Sequence, residues 1–228
     1  MRKAIIRYTR LVLVIAAIGN AYYTRPAAAG NDLVGKNMVG VRLGPWLAEG
    51  LTTGIQTTQV KVVSSSTAFH LELFYEYHLS GPLFLDMNFG AVSRGDIRIE
   101  TGSASARFSA IGTAGIFPLG IGLQVSPLAG RSEQSLQPFV ALGGSLVIGT
   151  ETLSYGINSP VGTYVGYGSE SRESLGWYAG GGFNWVLGAN FALSALGKYQ
   201  YAKFGKELVG VKDYSGAQIL VGAAYLYH

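Results

Sequence analysis

The sequence predicts an all-β fold, an antiparallel transmembrane β-barrel of about eight strands behind a cleaved leader. Three observations carry this reading: an apolar chain that lacks a membrane helix, period-two alternation repeated along its length, and connections that alternate between short and long. Charged residues make up only 13% of the 228, and mean hydropathy is +0.27. Yet no uninterrupted apolar stretch reaches the ~18 residues that a spanning helix needs. Apolar surface spread over many strands satisfies both facts. The 33 glycines suit tight turns and close backbone approach within a sheet. The lack of cysteine removes disulfides and thiolate metal sites from consideration.

The net charge of +4 and pI of 9.2 would point to a nucleic-acid partner if the charge were spread evenly. It is not. Arg2, Lys3, Arg7, Arg10 and Arg25 all precede Ala29 with no acidic residue among them, which leaves 12 basic against 13 acidic residues beyond. No nucleic acid is expected as a partner. A cationic stretch at 2–10, an apolar core at 11–19 (LVLVIAAIG) and the small residues Ala27-Ala28-Ala29 follow the order of a secretory signal. Residues 1–29 are read as a signal peptide cleaved before Gly30, and 30–228 as one barrel domain. The other reading of the leader is an uncleaved anchor, for which the apolar core is too short.

The first strand is read at 38–46, with Val39, Val41 and Leu43 outward and Arg42 inward. The second has the cleanest alternation: Phe69, Leu71, Leu73, Tyr75 and Tyr77 on one face, His70, Glu72, Glu76 and His78 on the other. Gly81-Pro82 makes a tight turn. A third run then places Leu83, Leu85, Met87, Phe89 and Ala91 outward, with Asp86 and Asn88 inward, and continues to about 100. A fourth opens near Ser105. Phe108, Ala110, Ala114 and Ile116 share its apolar face, while Arg107, Ser109 and Thr113 share the face assigned to the interior; Pro118 and Gly120 blur its end. Four more are placed at 137–150, 174–187, 191–204 and 215–227, giving the even number expected of a single-chain bacterial barrel.

The connections 78–83 and 188–190 are short and 126–136 is intermediate. Those at 47–67, 151–173 and 205–214 are long and polar, the first two rich in Ser, Thr and Gly. Short periplasmic turns and long extracellular loops follow this pattern, so Ser65, Ser159 and Gly210 are expected outside the cell, Gly81 and Ala189 in the periplasm.

A soluble sandwich alternates too, but its polar face meets water. Here that face carries Arg42, Glu72, Glu76, Asp86, Arg107 and Lys198 among small residues. Three cations and three carboxylates suit a narrow lumen where charges must pair. On the opposite face, Trp177 and Trp185 stand roughly 26 Å apart at ~3.3 Å per residue. Phe191 and Tyr201 lie roughly 33 Å apart along their strand, about 25 Å of height at ~40° tilt. With Tyr199 they are read as aromatic girdles.

Gly222-Ala223-Ala224-Tyr225-Leu226-Tyr227 resembles the terminal assembly signal of outer-membrane barrels. Gln137-Pro138-Phe139-Val140-Ala141-Leu142-Gly143-Gly144 is similar to the fifth strand of OmpA-type barrels. With the hairpin at 181–201, the likeness spans the mature chain. The resemblance implies the bacterial outer membrane, contact with its lipid, and recognition of Gly222, Tyr225 and Tyr227 by the barrel assembly machinery. It also implies a structural or surface-interaction role, with loops that present themselves to an unknown extracellular ligand. About eight strands leave an interior filled by side chains, with at most a narrow pore.

Three histidines without zinc spacing give no metal site, and no cofactor is expected. Gly180-Gly181-Gly182 lies inside a strand, so it is no phosphate loop. His78-Leu79-Ser80 resembles the His-x-Ser pair of outer-membrane lipid A deacylases, with Glu76 in place to orient the base. A lipid-modifying enzyme is therefore the alternative, opposed by the pair's position at the short-turn end and by Gly81 where that family has asparagine. No catalytic residue is assigned. N-terminal sequencing of the membrane-associated protein is expected to return Gly30 or a residue close to it; Met1 would overturn the leader.

Overall fold

The computed structural model describes residues 33–48, 56–57, 60–63, 67–103, 106–131, 134–159, 162–209 and 211–228. Side chains at 56–57, 60–63, 94–103, 106–107, 109 and 158–159 stand outside that description. The leader, Ser65 and Gly210 lie outside the described residues. Twelve strands follow in chain order: β1 Asn37–Ala48, β2 Gln56–Thr57, β3 Val60–Val63, β4 Thr67–Ser80, β5 Leu83–Ser103, β6 Ala106–Val125, β7 Leu136–Ser159, β8 Gly162–Val186, β9 Phe191–Tyr201, β10 Lys203–Leu208, β11 Val211–Asp213 and β12 Gly216–Tyr227.

Eight of them, β1, β4 to β9 and β12, pair antiparallel with their neighbours, and β12 returns to β1 to close the ring. So small a ring bends its strands sharply, and side chains on the inner face crowd. Gly222 shows the consequence. It pairs with Arg42 across the closing seam, and a Cβ there would lie 1.9 Å from the Val41 carbonyl oxygen.

Within the ring the alternation sends Val39, Val41, Leu43, Phe69, Leu71, Leu73, Tyr77 and Phe89 outward, all exposed. At the short-turn end the connections are knitted together. The Leu33 amide donates to the Ala129 carbonyl at 3.0 Å, Ser126 N to Pro82 O at 2.8 Å, and Leu226 N to Asn190 O at 2.9 Å. Leu33 and Ala129 pack inward there on Met38, Phe74, Phe84, Val186, Ala192 and Leu226.

The opposite end departs from the sequence reading in three ways. First, 151–173 is not a loop: β7 runs to Ser159 and β8 begins at Gly162, so the two form one long hairpin. Its Ser, Thr and Gly residues looked loop-like, but they alternate with Leu153, Tyr155 and Ile157, and that alternation sustains a strand.

Second, the faces of β6 are reversed. Ala110, Ala114 and Ile116 are buried inside, whereas Leu119, Ile121, Leu123 and Val125 are exposed outside. The strand continues through Pro118, where the ladder to β5 skips from Leu119 to Ile116 because proline has no N–H to give.

Third, 205–214 does not hang free in water. It is the β10–β11 hairpin, with Leu208 and Tyr214 buried. Gly222→Val is expected to block closure and abolish the compact, heat-modifiable band after refolding into detergent. Gly144→Ala, which adds its Cβ to open space, should refold like the parent.

Candidate functional site

The interior is layered, polar between two apolar plugs. Arg42 faces Glu72 across β1 and β4, the Nη1 to Oε1 distance being 3.5 Å. Its Nη2 donates to Glu76 Oε1 at 2.7 Å and its Nε to Ser194 Oγ at 2.9 Å. The guanidinium carbon lies 3.5 Å from the Phe74 ring centroid, within cation–π range. Lys198 Nζ donates to the other Glu72 oxygen, and Gln124 Nε2 donates to Glu76 Oε2 at 2.6 Å. Asp86 is held by hydrogen bonds rather than by a cation: Tyr178 OH donates at 2.6 Å and Asn88 Nδ2 at 3.2 Å. These groups leave a cavity of about 10 Å³, the room of roughly one water.

Five of the six charges assigned to the interior thus come together, two cations with three carboxylates. Arg107 is not among them. Its side chain is outside the description, and its backbone pairs with Gly102 and Asn158 near the far end of the sheet. The expected balance of charge is therefore met partly by neutral donors, Gln124, Asn88 and Tyr178. Sequence reading passed over Phe74, Gln124, Tyr178 and Ser194. Parity was the available signal, since Phe74 lies between Glu72 and Glu76, and Tyr178 lies in step with Asn184.

Above this layer Trp46, Val92, Ile116 and Val147 pack on Phe204, Leu208 and Tyr214. The β10–β11 hairpin turns inward over the mouth. Tyr214 OH donates to the Leu208 carbonyl at 2.7 Å, and the Val209 amide donates to Glu151 Oε2 at 2.6 Å. His78, the proposed base of the deacylase reading, has its Nε2 3.1 Å from the Gly81 carbonyl. Glu76 is occupied by Arg42 and Gln124, so the three residues do not assemble into a triad.

Outside, the aromatic residues fall at two levels. Trp177 stacks on Tyr201 at 5.9 Å between centroids and lies 5.8 Å from Tyr199. Near the turns, Trp185 and Phe191 are exposed, Phe191 pairs with Tyr225, and Tyr225 stacks on Tyr227 at 6.3 Å.

Beyond the Trp177 level, among the described residues, β5 to β8 carry the sheet onward, with β3 and β2 added along β5. Here both faces become mixed: Val165, Tyr167 and Leu175 are exposed on the outer face, and the inner face carries both apolar residues and charges. Cross-strand rows on the inner face read Phe108, Ile157, Tyr164; Ala110, Tyr155, Gly166; and Gly112, Leu153, Gly168. Those on the outer face include Thr113, Thr152, Ser169 and Gly115, Thr150, Ser171. β9 pairs with β8 only up to Trp177. Ser174 Oγ then donates to the Lys203 carbonyl of β10 at 2.5 Å, and from Tyr164 to Glu173, about 30 Å along the strand at ~3.3 Å per residue, none of the described strands pairs with β8 on that side.

A closed antiparallel ring with an apolar exterior and a buried ionic interior defines a membrane-spanning β-barrel. The chain matches the model of the outer membrane protein β-barrel domain over residues 27–226, and it belongs to that family. It is accordingly a protein of the bacterial outer membrane. No curated protein matches it. Among solved structures it is similar to Ail, the attachment invasion locus protein of Yersinia pestis, at 19% identity over 85% of this chain and 99% of that one, TM-score 0.44. OprG from Pseudomonas aeruginosa matches at 13% identity over 86% and 98%, TM-score 0.49. Neisserial surface protein A matches at 13% over 87% and 99%, TM-score 0.39.

Removing one member of a buried ion pair strands the other, at about 3–5 kcal/mol. Glu72→Gln is therefore expected to lower stability in refolding titrations. The hydrogen-bond partners select Lys198 for rescue: Glu72→Gln with Lys198→Met should recover much of the loss. Leu73→Arg, on the lipid face, should cost about 2–4 kcal/mol with no rescue from Lys198→Met.

Proposed function

We propose that the protein is a sealed outer-membrane barrel whose role is surface interaction: it presents a one-sided β-sheet outside the cell to extended polypeptide. The end that carries β2, β3 and the long β5–β8 strands is extracellular, and the short turns near Gly81 and Ala189 face the periplasm. Residues 1–29 direct export. Gly222, Tyr225 and Tyr227 serve recognition by the assembly machinery, and the two aromatic levels border the lipid.

The observation that carries this reading is the edge of β8 above Trp177, to which none of the described strands is paired. Within lipid such an edge would leave backbone donors and acceptors unmet. In water it is tolerated and becomes a template for strand addition. Its residues 164–173 carry no proline, and Tyr164, Val165 and Tyr167 are exposed along it. Support for a closed lumen comes from the apolar layers on both sides of the ionic one.

The test uses the protein in lipid nanodiscs against a displayed library of random peptides. Enriched peptides should lose binding when N-methylated at one set of alternate residues and keep it when methylated at the other set. Peptides indifferent to both, or no enrichment, would overturn the reading. In planar bilayers the wild type is expected to show no steady conductance, and open-channel currents would contradict the sealed lumen.

A further inference from the structure

We infer that the inner face of the extracellular sheet reads a side-chain pattern on the strand it receives: basic, any, large apolar, any, large apolar, running antiparallel to β8. The inference rests on the proposal that β8 accepts an added strand, and it names the chemistry of the occupant.

The inner face presents apolar surface to water where a soluble sheet would present polar groups. Leu153, Ile157 and Tyr164 are 38%, 41% and 64% exposed. Along β8 itself, the two inner positions below Tyr164 are Gly166 and Gly168, which leave the second row uncovered. Tyr155 lies directly across from Gly166, and Leu153 directly across from Gly168. The glycines are not equivalent. A Cβ on Gly166 would meet the Tyr155 ring at 2.2 Å, so the ring already fills that position. A Cβ on Gly168 would meet nothing within 4 Å.

A strand added at the edge places its own inner side chains beside Gly166 and Gly168. With no β8 side chain in between, a large apolar group beside Gly168 can lie across that glycine onto Leu153, and one beside Gly166 can pack against the Tyr155 ring that covers it. Half-buried Tyr155 and exposed Leu153 present the apolar surface on which such groups can pack.

The next inner position sets the charge. Glu170 pairs across the sheet with Glu151, two carboxylates in one row. Arg172 Nη2 contacts Glu170 Oε2 at 2.5 Å, and one Glu151 oxygen accepts from the Val209 amide. Glu173 follows on the other face. On the inner face one cation, Arg172, thus stands against two carboxylates, Glu151 and Glu170, and Glu170 itself remains 62% exposed. A basic residue on the added strand, opposite Glu170, complements this excess. Reading antiparallel to β8, the positions opposite 170, 168 and 166 give the stated order.

The experiment measures binding of two synthetic peptides to the full mature chain in nanodiscs. One carries Lys-Thr-Phe-Thr-Phe between Ser/Thr flanks; the other has the same composition with lysine and both phenylalanines made contiguous. The alternating peptide is expected to bind at least about tenfold more tightly. Gly168→Val, whose side chain enters open space, should keep the heat-modifiable mobility of the parent and lose about tenfold in affinity for the alternating peptide. Glu170→Lys should reverse the preference in favour of a peptide with glutamate in place of lysine. Equal binding of the two peptides, each abolished by alternate N-methylation, would overturn the pattern and leave strand addition standing. Unchanged affinity in Gly168→Val or Glu170→Lys would also overturn it. Binding insensitive to N-methylation of either phase would remove the edge reading itself.

Discussion

In the hydrocarbon of a membrane every backbone N–H and C=O must find its partner within the protein, and the architecture follows from that requirement. β12 has to return to β1, and with eight strands the ring is so narrow that its inner face becomes a packing problem. Glycine at 222, where the closing seam brings β12 against Val41 and Arg42, is one answer. The ionic layer is another. Arg42, Glu72, Glu76 and Lys198 are almost wholly buried, and charges so placed are tolerated only when mutually satisfied. Gln124 donates to Glu76 and Ser194 accepts from Arg42, while Tyr178 and Asn88 donate to the neighbouring Asp86. The layer therefore fixes the relative positions of β1, β4, β6, β8 and β9 from within the ring.

In the proposed placement the solvent changes above the Trp177 level, and the alternation no longer has to keep one face apolar. Facing lipid, the outer residues must be apolar. Facing water, they are free to include Thr150, Thr152, Ser169 and Ser171 beside Val165 and Tyr167, and apolar side chains are tolerated on the inner face as well. Part of that inner face is covered: the β10–β11 hairpin folds back over the mouth and buries Leu208 and Tyr214 against Trp46, Ile116 and Val147. The rest, from Leu153 to Tyr164, stands open above it.

Sheet closure is likewise needed only in lipid. Once β8 passes Trp177, water can satisfy its outer groups, so β9 can turn away to form the plug while β8 continues. A free edge and an apolar inner face arise together at one end of the molecule. Their coincidence is the observation on which the proposed recognition surface rests. The inward plug and the outward sheet are thus two uses of the same strand-length asymmetry.

Local information was enough for much of this. Period-two alternation in 69–78, the Gly81-Pro82 turn, the even strand count and the inward parity of Arg42, Glu72, Glu76, Asp86 and Lys198 are all properties of neighbouring residues, because side-chain direction in a strand repeats every second position. Other features needed the assembled ring. Nothing local says that Lys198 meets Glu72 across 126 positions, or that Asp86 is satisfied by Tyr178. The faces of β6 could not be read from apolarity, because apolar residues point outward in lipid and inward above it, and the sequence does not mark where the medium changes. The length of β7 and β8 was hidden for the same reason: strands outside the membrane look like Ser/Thr-rich loops. The sequence by itself determined the alternation, the short turns and the eight strands of the ring, which depend on adjacent residues. Tertiary structure decided pairing partners, the inward plug and the exposed edge, which depend on what closure brings together and on which solvent each face meets.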